Sequence, residues 1–242
     1  MRRVTFTRLG WRLTNMFVTI AFMTPRRVPV SRRDRPAKPP LSREGVVAVA
    51  LRIMRDEGLE RVTMRRLAGE LDTGPASLYV YVASMAELHG ALLDELLGEL
   101  DLARDALVDL LCEYTLLLLG HPSLARSVLA LWPSGPNYLR LFDRVLGLLR
   151  AAGVPARQAA WGVDVLLQHA TATAAEQGTR NESVDADREG YRLTTAIEEA
   201  PADDYPNLAH LRGELFSGTG EQRLRWQFSA LVQGIATTTI PE

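Results

Sequence analysis

Eight residues between Thr63 and Tyr81 have the types and spacing to contact nucleic acid. Arg65 is the strongest base reader among them. Its guanidinium can bond guanine O6 and N7 together, which is worth about 1–3 kcal/mol of discrimination between bases. Thr73, Gly74, Ala76 and Ser77 are small and let a backbone approach closely. Ser77 can donate to a base or a phosphate, and Ala76 can touch a thymine methyl. Tyr79 and Tyr81 carry hydroxyls suited to phosphates, contacts that position a protein without reading sequence, and Thr63 opens the set. For Tyr79 the alternative is a core aromatic.

Such residues must be held on a short, rigid frame. Met64, Leu67, Ala68 and Leu71 fall at i, i+3, i+4 and i+7, the apolar face of a helix, with Thr63 as its N-cap. Asp72, Thr73, Gly74 and Pro75 break that helix, and Pro75 is tolerated in the first turn of the next. The second run, Ala76 to Val82, places Leu78 and Val82 at i and i+4. Helix, tight turn and helix is the helix-turn-helix pattern, which sets its second helix in the DNA major groove. Upstream, Ser42 can cap a helix to about Glu57, with Val46, Val47, Val49, Ala50, Ile53 and Met54 on its apolar face and Gly58 at its end. Downstream, Ser84 with Glu87 has capping-box spacing for a leucine-rich helix to about Leu100.

Thr63, the RRLAGEL core, the SLYVYV block and the helix from Ser84 together resemble the DNA-binding domain of the tetracycline-repressor (TetR) family, over roughly residues 41–97. The resemblance implies a regulator of transcription. In that family the helix from Ser84 joins the DNA-binding and regulatory domains, and two long helices per subunit form a four-helix dimer bundle. The helices that fit this role are 155–177, with small residues Ala159, Ala160, Gly162, Ala170 and Ala174, and 220–236, with Trp226, Phe228, Leu231 and Ile235. Two positions depart from the family pattern. The usual turn glycine is Asp72, which tolerates a left-handed backbone better than most residues, and the usual phosphate-binding lysine is Met85.

Charge sharpens this picture. Residues 1–40 carry nine Arg and one Lys against Asp34 alone, although the whole chain has a net charge of −1. Residues 41–90 hold six arginines and seven acids, a poor balance for a DNA binder. The basic arm is therefore expected to supply backbone affinity, so that deleting it would flatten the salt dependence of binding. Pro25, Pro29, Pro36, Pro39 and Pro40 make it a segment unable to build a core. Its apolar run Met16–Met23 is too short to span a bilayer and lacks a small-residue cleavage site, which argues against export, and Met16 and Met23 are alternative starts.

Beyond Leu97 the chain reads as helices 101–119, 123–131, 137–150, 155–177, 191–199, 208–216 and 220–236, with a loop at 178–190. At 47% apolar and 24% charged, with Cys112 as its only cysteine inside an apolar run, the chain fits a globular protein of a reducing, cytoplasmic setting. The reading is all-α: a basic, disordered arm (1–40), an N-terminal three-helix helix-turn-helix DNA-binding domain (41–84), and a C-terminal helical regulatory and dimerisation domain (85–242). Residues suited to an apolar pocket are Tyr114, Trp132, Tyr138, Phe142, Trp161, Gln168, His169 and Thr171. Each serves equally well in core packing.

The tetracycline-responsive branch places a metal-binding histidine near the middle of the helix after His121 and an arginine just before the next proline. Here those places are Val128 and Trp132, which argues against magnesium-chelated tetracycline and for a hydrophobic or aromatic effector. The expected function is that of a ligand-responsive repressor, a homodimer on a palindromic operator near the nucleoid. The alternatives are a DNA-binding regulator without a ligand and an all-α enzyme. The four histidines, His89, His121, His169 and His210, are scattered, without a metal or phosphate motif. No catalytic residue, metal site, cofactor or membrane association is expected.

Overall fold

The computed structural model describes residues 40–241; the basic arm lies outside them. Among the described residues every regular element is helical: α1 (Arg43–Glu57), α2 (Met64–Glu70), α3 (Pro75–Leu78), α4 (Met85–Leu97), α5 (Leu107–Leu119), α6 (Pro122–Val128), α7 (Pro136–Ala151), α8 (Ala156–Glu182), α9 (Ala186–Glu199), α10 (Pro206–Leu215) and α11 (Gly220–Thr237). A 3-10 turn, Leu59–Arg61, follows α1.

Caps set the starts of the first helices. Ser42 Oγ accepts the Gly45 N–H, Thr63 Oγ1 that of Arg66 and Ser84 Oγ that of Glu87, each at 3.1 Å. Such caps are worth about 1 kcal/mol each. Glu87 reaches back to the Ala83 N–H at 2.7 Å, one residue earlier than a regular capping box. Asp72 is the single non-glycine described residue with positive φ, at 48°. The left-handed turn position is therefore held by an aspartate, one of the residue types least penalised there.

Val46, Val47, Ala50, Ile53 and Met54 of α1, Met64, Leu67 and Ala68 of α2, and Leu78 of α3 are all buried. α4 packs on α1 as well as on α6 and α7. α8 is the spine of the rest, in contact with α5, α6, α7 and α11.

Several expected boundaries move: α4 and α6 each end three residues early, at Leu97 and Val128, and α5, α8 and α9 shift further. α5 begins at Leu107, because Asp101 Oδ1 accepts the Ala103 N–H in a local turn and Arg104 and Asp105 turn to Glu113 and Arg144. α8 runs to Glu182 instead of Gln177. Arg126 of α6 holds Thr179 and Glu182, both at 2.9 Å, and keeps the last turns helical. α9 begins at Ala186, so the expected loop at 178–190 shrinks to three residues, Ser183 to Asp185.

The small residues of α8 also serve a different purpose from the one expected. Ala159, Ala170 and Ala174 are buried within the chain, and a Cβ on Gly162 would meet Ile235 of α11 at 2.6 Å. They allow α8 to approach its own α5, α6 and α11. The outward stripe of α8 carries Trp161 and Val165, and α11 presents Trp226, all exposed.

Candidate nucleic-acid interface and ligand cavity

The helix-turn-helix leaves most of the sequence-predicted contacts exposed. Thr63, Arg65, Gly74, Ala76, Ser77 and Tyr79 are exposed, while Thr73 and Tyr81 are half-buried. Tyr79 is 52% exposed, which removes the core-aromatic alternative for it. Tyr81 instead packs against the core. The recognition helix is shorter than the expected Ala76–Val82: α3 has four residues, and the chain continues through turns in which both the Tyr81 and Val82 N–H groups donate to Leu78 O.

Charge is distributed unevenly among the arginines here. Arg66 pairs with Glu57 at 2.8 Å and Glu70 at 3.0 Å, and Arg52 pairs with Glu70 at 2.7 Å. The Arg52 bond pulls the Glu70 carboxyl below its ordinary pKa, with Arg66 adding to the effect. Arg65 has no ion-pair partner among the described residues, so its guanidinium is available to an outside acceptor.

A cavity of about 270 Å³ lies between α4, α5, α7, α8 and the segment after α6. Five of the eight predicted pocket residues meet there: Tyr114, Trp132, Tyr138, Gln168 and Thr171. Tyr114 is buried, and its hydroxyl shares a 2.8 Å hydrogen bond with Thr171 Oγ1, which also donates to Leu167 O at 2.9 Å. Burial pushes the Tyr114 phenol above its ordinary pKa, so it stays neutral. Burial, then the nearby Asp164 carboxylate, raises that of Tyr138. Trp132 is 93% exposed and belongs to the rim.

Phe142, Trp161 and His169 do not line this cavity, for reasons of helical phase. Phe142 is one turn beyond Tyr138 on α7 and stacks on it at a tilt, with ring centroids 6.3 Å apart. Trp161 faces outward under Arg157, whose guanidinium sits 5.4 Å from the ring centroid. His169 turns towards α11, edge-on to Phe228 at 5.5 Å. Sequence reasoning missed Leu93, Val128, Leu129, Ala130, Leu131, Pro133, Asp164 and Leu167, which complete the walls. Asp164 was within reach, because it lies four residues before Gln168 and seven before Thr171 on one helix face.

A larger groove of about 830 Å³ runs between α5, α8 and α11, lined by Asp109, Cys112, Glu113, Arg223 and Arg225 among others. Its arginines are committed. Arg225 holds Asp109 and Glu221, Arg104 holds Glu113, and Arg223 donates to Leu215 O and Ser217 O. None of its walls comes from α4, α6 or α7.

The smaller cavity is tied to α4, the helix that leaves the helix-turn-helix. Leu93 lines it. The next residue, Asp94, is 8% exposed, and its carboxylate accepts the Tyr138 N–H at 2.8 Å and the Asn137 amide at 3.4 Å. Asn137 also donates to Asp94 O at 2.9 Å. A buried carboxylate thus caps the N-terminus of α7, where the helix dipole favours negative charge. A Cβ on Gly135 would overlap Asp94, so only glycine fits that approach.

Residues 46–92 match the model of the bacterial regulatory proteins, tetR family, and residues 104–238 match that of the tetracyclin repressor-like C-terminal domain. The chain belongs to the TetR family. Among solved structures it is similar to SCO7704, described as a transcription regulator of Streptomyces coelicolor, with 53% identity, a TM-score of 0.72, and coverage of 85% of this chain and 99% of that one. It is also similar to the TetR family protein ActR of the same organism in complex with actinorhodin, at 32% identity and a TM-score of 0.71 over 82% of this chain and 96% of that one. A curated relative, the HTH-type transcriptional repressor DrrR1 of Streptomyces coeruleorubidus, is 36% identical over 51% of this chain and 48% of its own length. The chain is thus a TetR-family transcriptional regulator, with a helix-turn-helix domain followed by a helical C-terminal domain. The tetracycline-repressor-like C-terminal type here has Val128 in a cavity wall and Trp132 on its rim.

Proposed function

We propose that this TetR-family regulator is a ligand-responsive repressor. It binds a palindromic operator as a homodimer, inside the cytoplasm at the nucleoid, and a small hydrophobic or aromatic effector in the α4–α8 cavity releases it. Arg65 reads a base, Ser77 and Ala76 stand close to base edges, and Tyr79 holds a phosphate. The exposed apolar stripe with Trp161, Val165 and Trp226 is the surface a second copy would cover.

The adjacency of Leu93 and Asp94 carries the ligand-responsive reading. One lines the cavity, the other caps the helix bearing Tyr138, and both sit on the helix that also packs on α1. An occupant pressing on Tyr138 or Leu93 acts on α4 directly and so favours a different separation of the two heads. The complex of ActR with actinorhodin supports a small-molecule effector by analogy.

Selecting duplexes from a random pool with the full chain, then footprinting them, tests the operator half. The expected result is two protected patches on one face, about one helical turn apart. A single patch would contradict the dimeric reading.

A further inference from the structure

The charge inside the effector cavity is one-sided. Asp164 is its single acidic lining residue, and no lining residue is Arg, Lys or His. Among the described residues Asp164 has no ion-pair or hydrogen-bond partner, although its carboxylate is near enough to Tyr138 to raise that phenol's pKa. An unpaired carboxylate beside a cavity of mixed polar and apolar lining repels anions and attracts cations.

The remaining walls divide by depth. Leu93, Val128, Leu167 and the Tyr114 ring are buried and offer apolar contact inside. Gln168 and Asp164 on α8 and Trp132 on the segment after α6 are exposed and form the rim. At about 270 Å³ and partly open to solvent, the space sits just under the usual range for drug-sized ligands, so a bound molecule buries one part and leaves another at the rim. Trp132 and Tyr138 supply aromatic faces, which also attract cations.

We propose that the effector is a flat aromatic molecule bearing a cationic amine, with its ring system buried against Leu93, Val128 and Leu167 and its amine at the rim between Asp164 and Trp132. This assignment rests on the reading of the cavity as the effector site.

Three aromatic probes of matched size separate the terms: 9-(aminomethyl)anthracene as the cationic amine, 9-anthracenemethanol as the neutral form and anthracene-9-carboxylate as the anion. Each is titrated by fluorescence against the full chain without DNA, in wild type and in Asp164→Asn, an exposed and near-isosteric change. The expected order in wild type is cation tightest and anion weakest. Asp164→Asn should weaken 9-(aminomethyl)anthracene about fivefold, the upper range for an exposed ion pair, and leave 9-anthracenemethanol unchanged. If the anion binds as tightly as the cation, or the variant leaves the cationic amine unchanged, the charge preference is overturned while the cavity stands as an aromatic site. If none of the three binds, the reading of the cavity falls, and this inference with it.

Discussion

The Asp94 carboxylate accepts the backbone N–H of Tyr138 at 2.8 Å, joining the helix that leaves the helix-turn-helix to a residue that lines the α4–α8 cavity. Both partners are held in place. Asp94 is buried, and Asn137 beside Tyr138 makes two further bonds to it. Asp94→Ala should cost about 1–2 kcal/mol of stability through the lost helix cap, measured by urea denaturation. Asp94→Asn keeps an acceptor and should cost less, yet it should reduce the response of operator affinity to ligand. A full response in Asp94→Asn would remove this bond from the relay.

Gly135→Ala should be destabilising for a reason that depends on Asp94, because the added Cβ overlaps that side chain. The two substitutions should therefore not add. In a double-mutant cycle, Gly135→Ala should cost less in the Asp94→Ala background, which removes the two nearest atoms but leaves the residue-94 Cβ 2.7 Å away, with a coupling of about 1 kcal/mol or more. Strict additivity would show that α7 is seated independently of α4.

Arg65 and Arg66 are neighbours with opposite commitments. Arg66 is tied to Glu57 and Glu70, whereas Arg65 has no ion-pair partner among the described residues. Arg65→Ala should weaken operator binding by about 1–3 kcal/mol and relax the base preference at one position of each half-site. Arg66→Ala should change sequence preference little and mainly loosen the contact between α1 and α2. Equal effects on base preference would mean the roles are not divided in this way.

His89 gives the stability a pH dependence. Its ring meets Ser127 of α6, its Nε2 is buried without a hydrogen-bond partner, and burial lowers its pKa from 6.5. A depressed imidazole pKa means the fold prefers the neutral ring. That stability is present above pH 6.5 and is lost as pH falls below it towards the folded-state value. His121 shifts the same way, chiefly by burial and then by Arg55. Denaturation curves between pH 8 and pH 5 should show falling stability, with a shallower fall in His89→Gln. An unchanged slope in that variant would assign the effect elsewhere.

The helix-turn-helix was legible because local rules decide it. Caps at Ser42, Thr63 and Ser84, apolar spacing and a broken turn act within a few residues. The cavity was legible only in part, because its composition depends on helical phase and on contacts far apart in sequence. Tyr114 and Thr171 meet across 57 residues, and no periodicity predicts that pairing. The same limit misassigned Trp161, whose type suits a pocket but whose phase on α8 turns it outward. The C-terminal end of α8 was missed because its helicity comes from Arg126 on another element.

Release of DNA by a molecule in the cavity is the central claim, and one measurement addresses it directly. Operator affinity is followed by anisotropy while an aromatic ligand shown to bind the chain is titrated, in wild type and in Leu131→Trp, which fills the cavity from the segment after α6. The account predicts that both proteins bind the operator equally without ligand and that only wild type is released. Release of Leu131→Trp at the same ligand concentration, or no release of wild type at saturation, would contradict it.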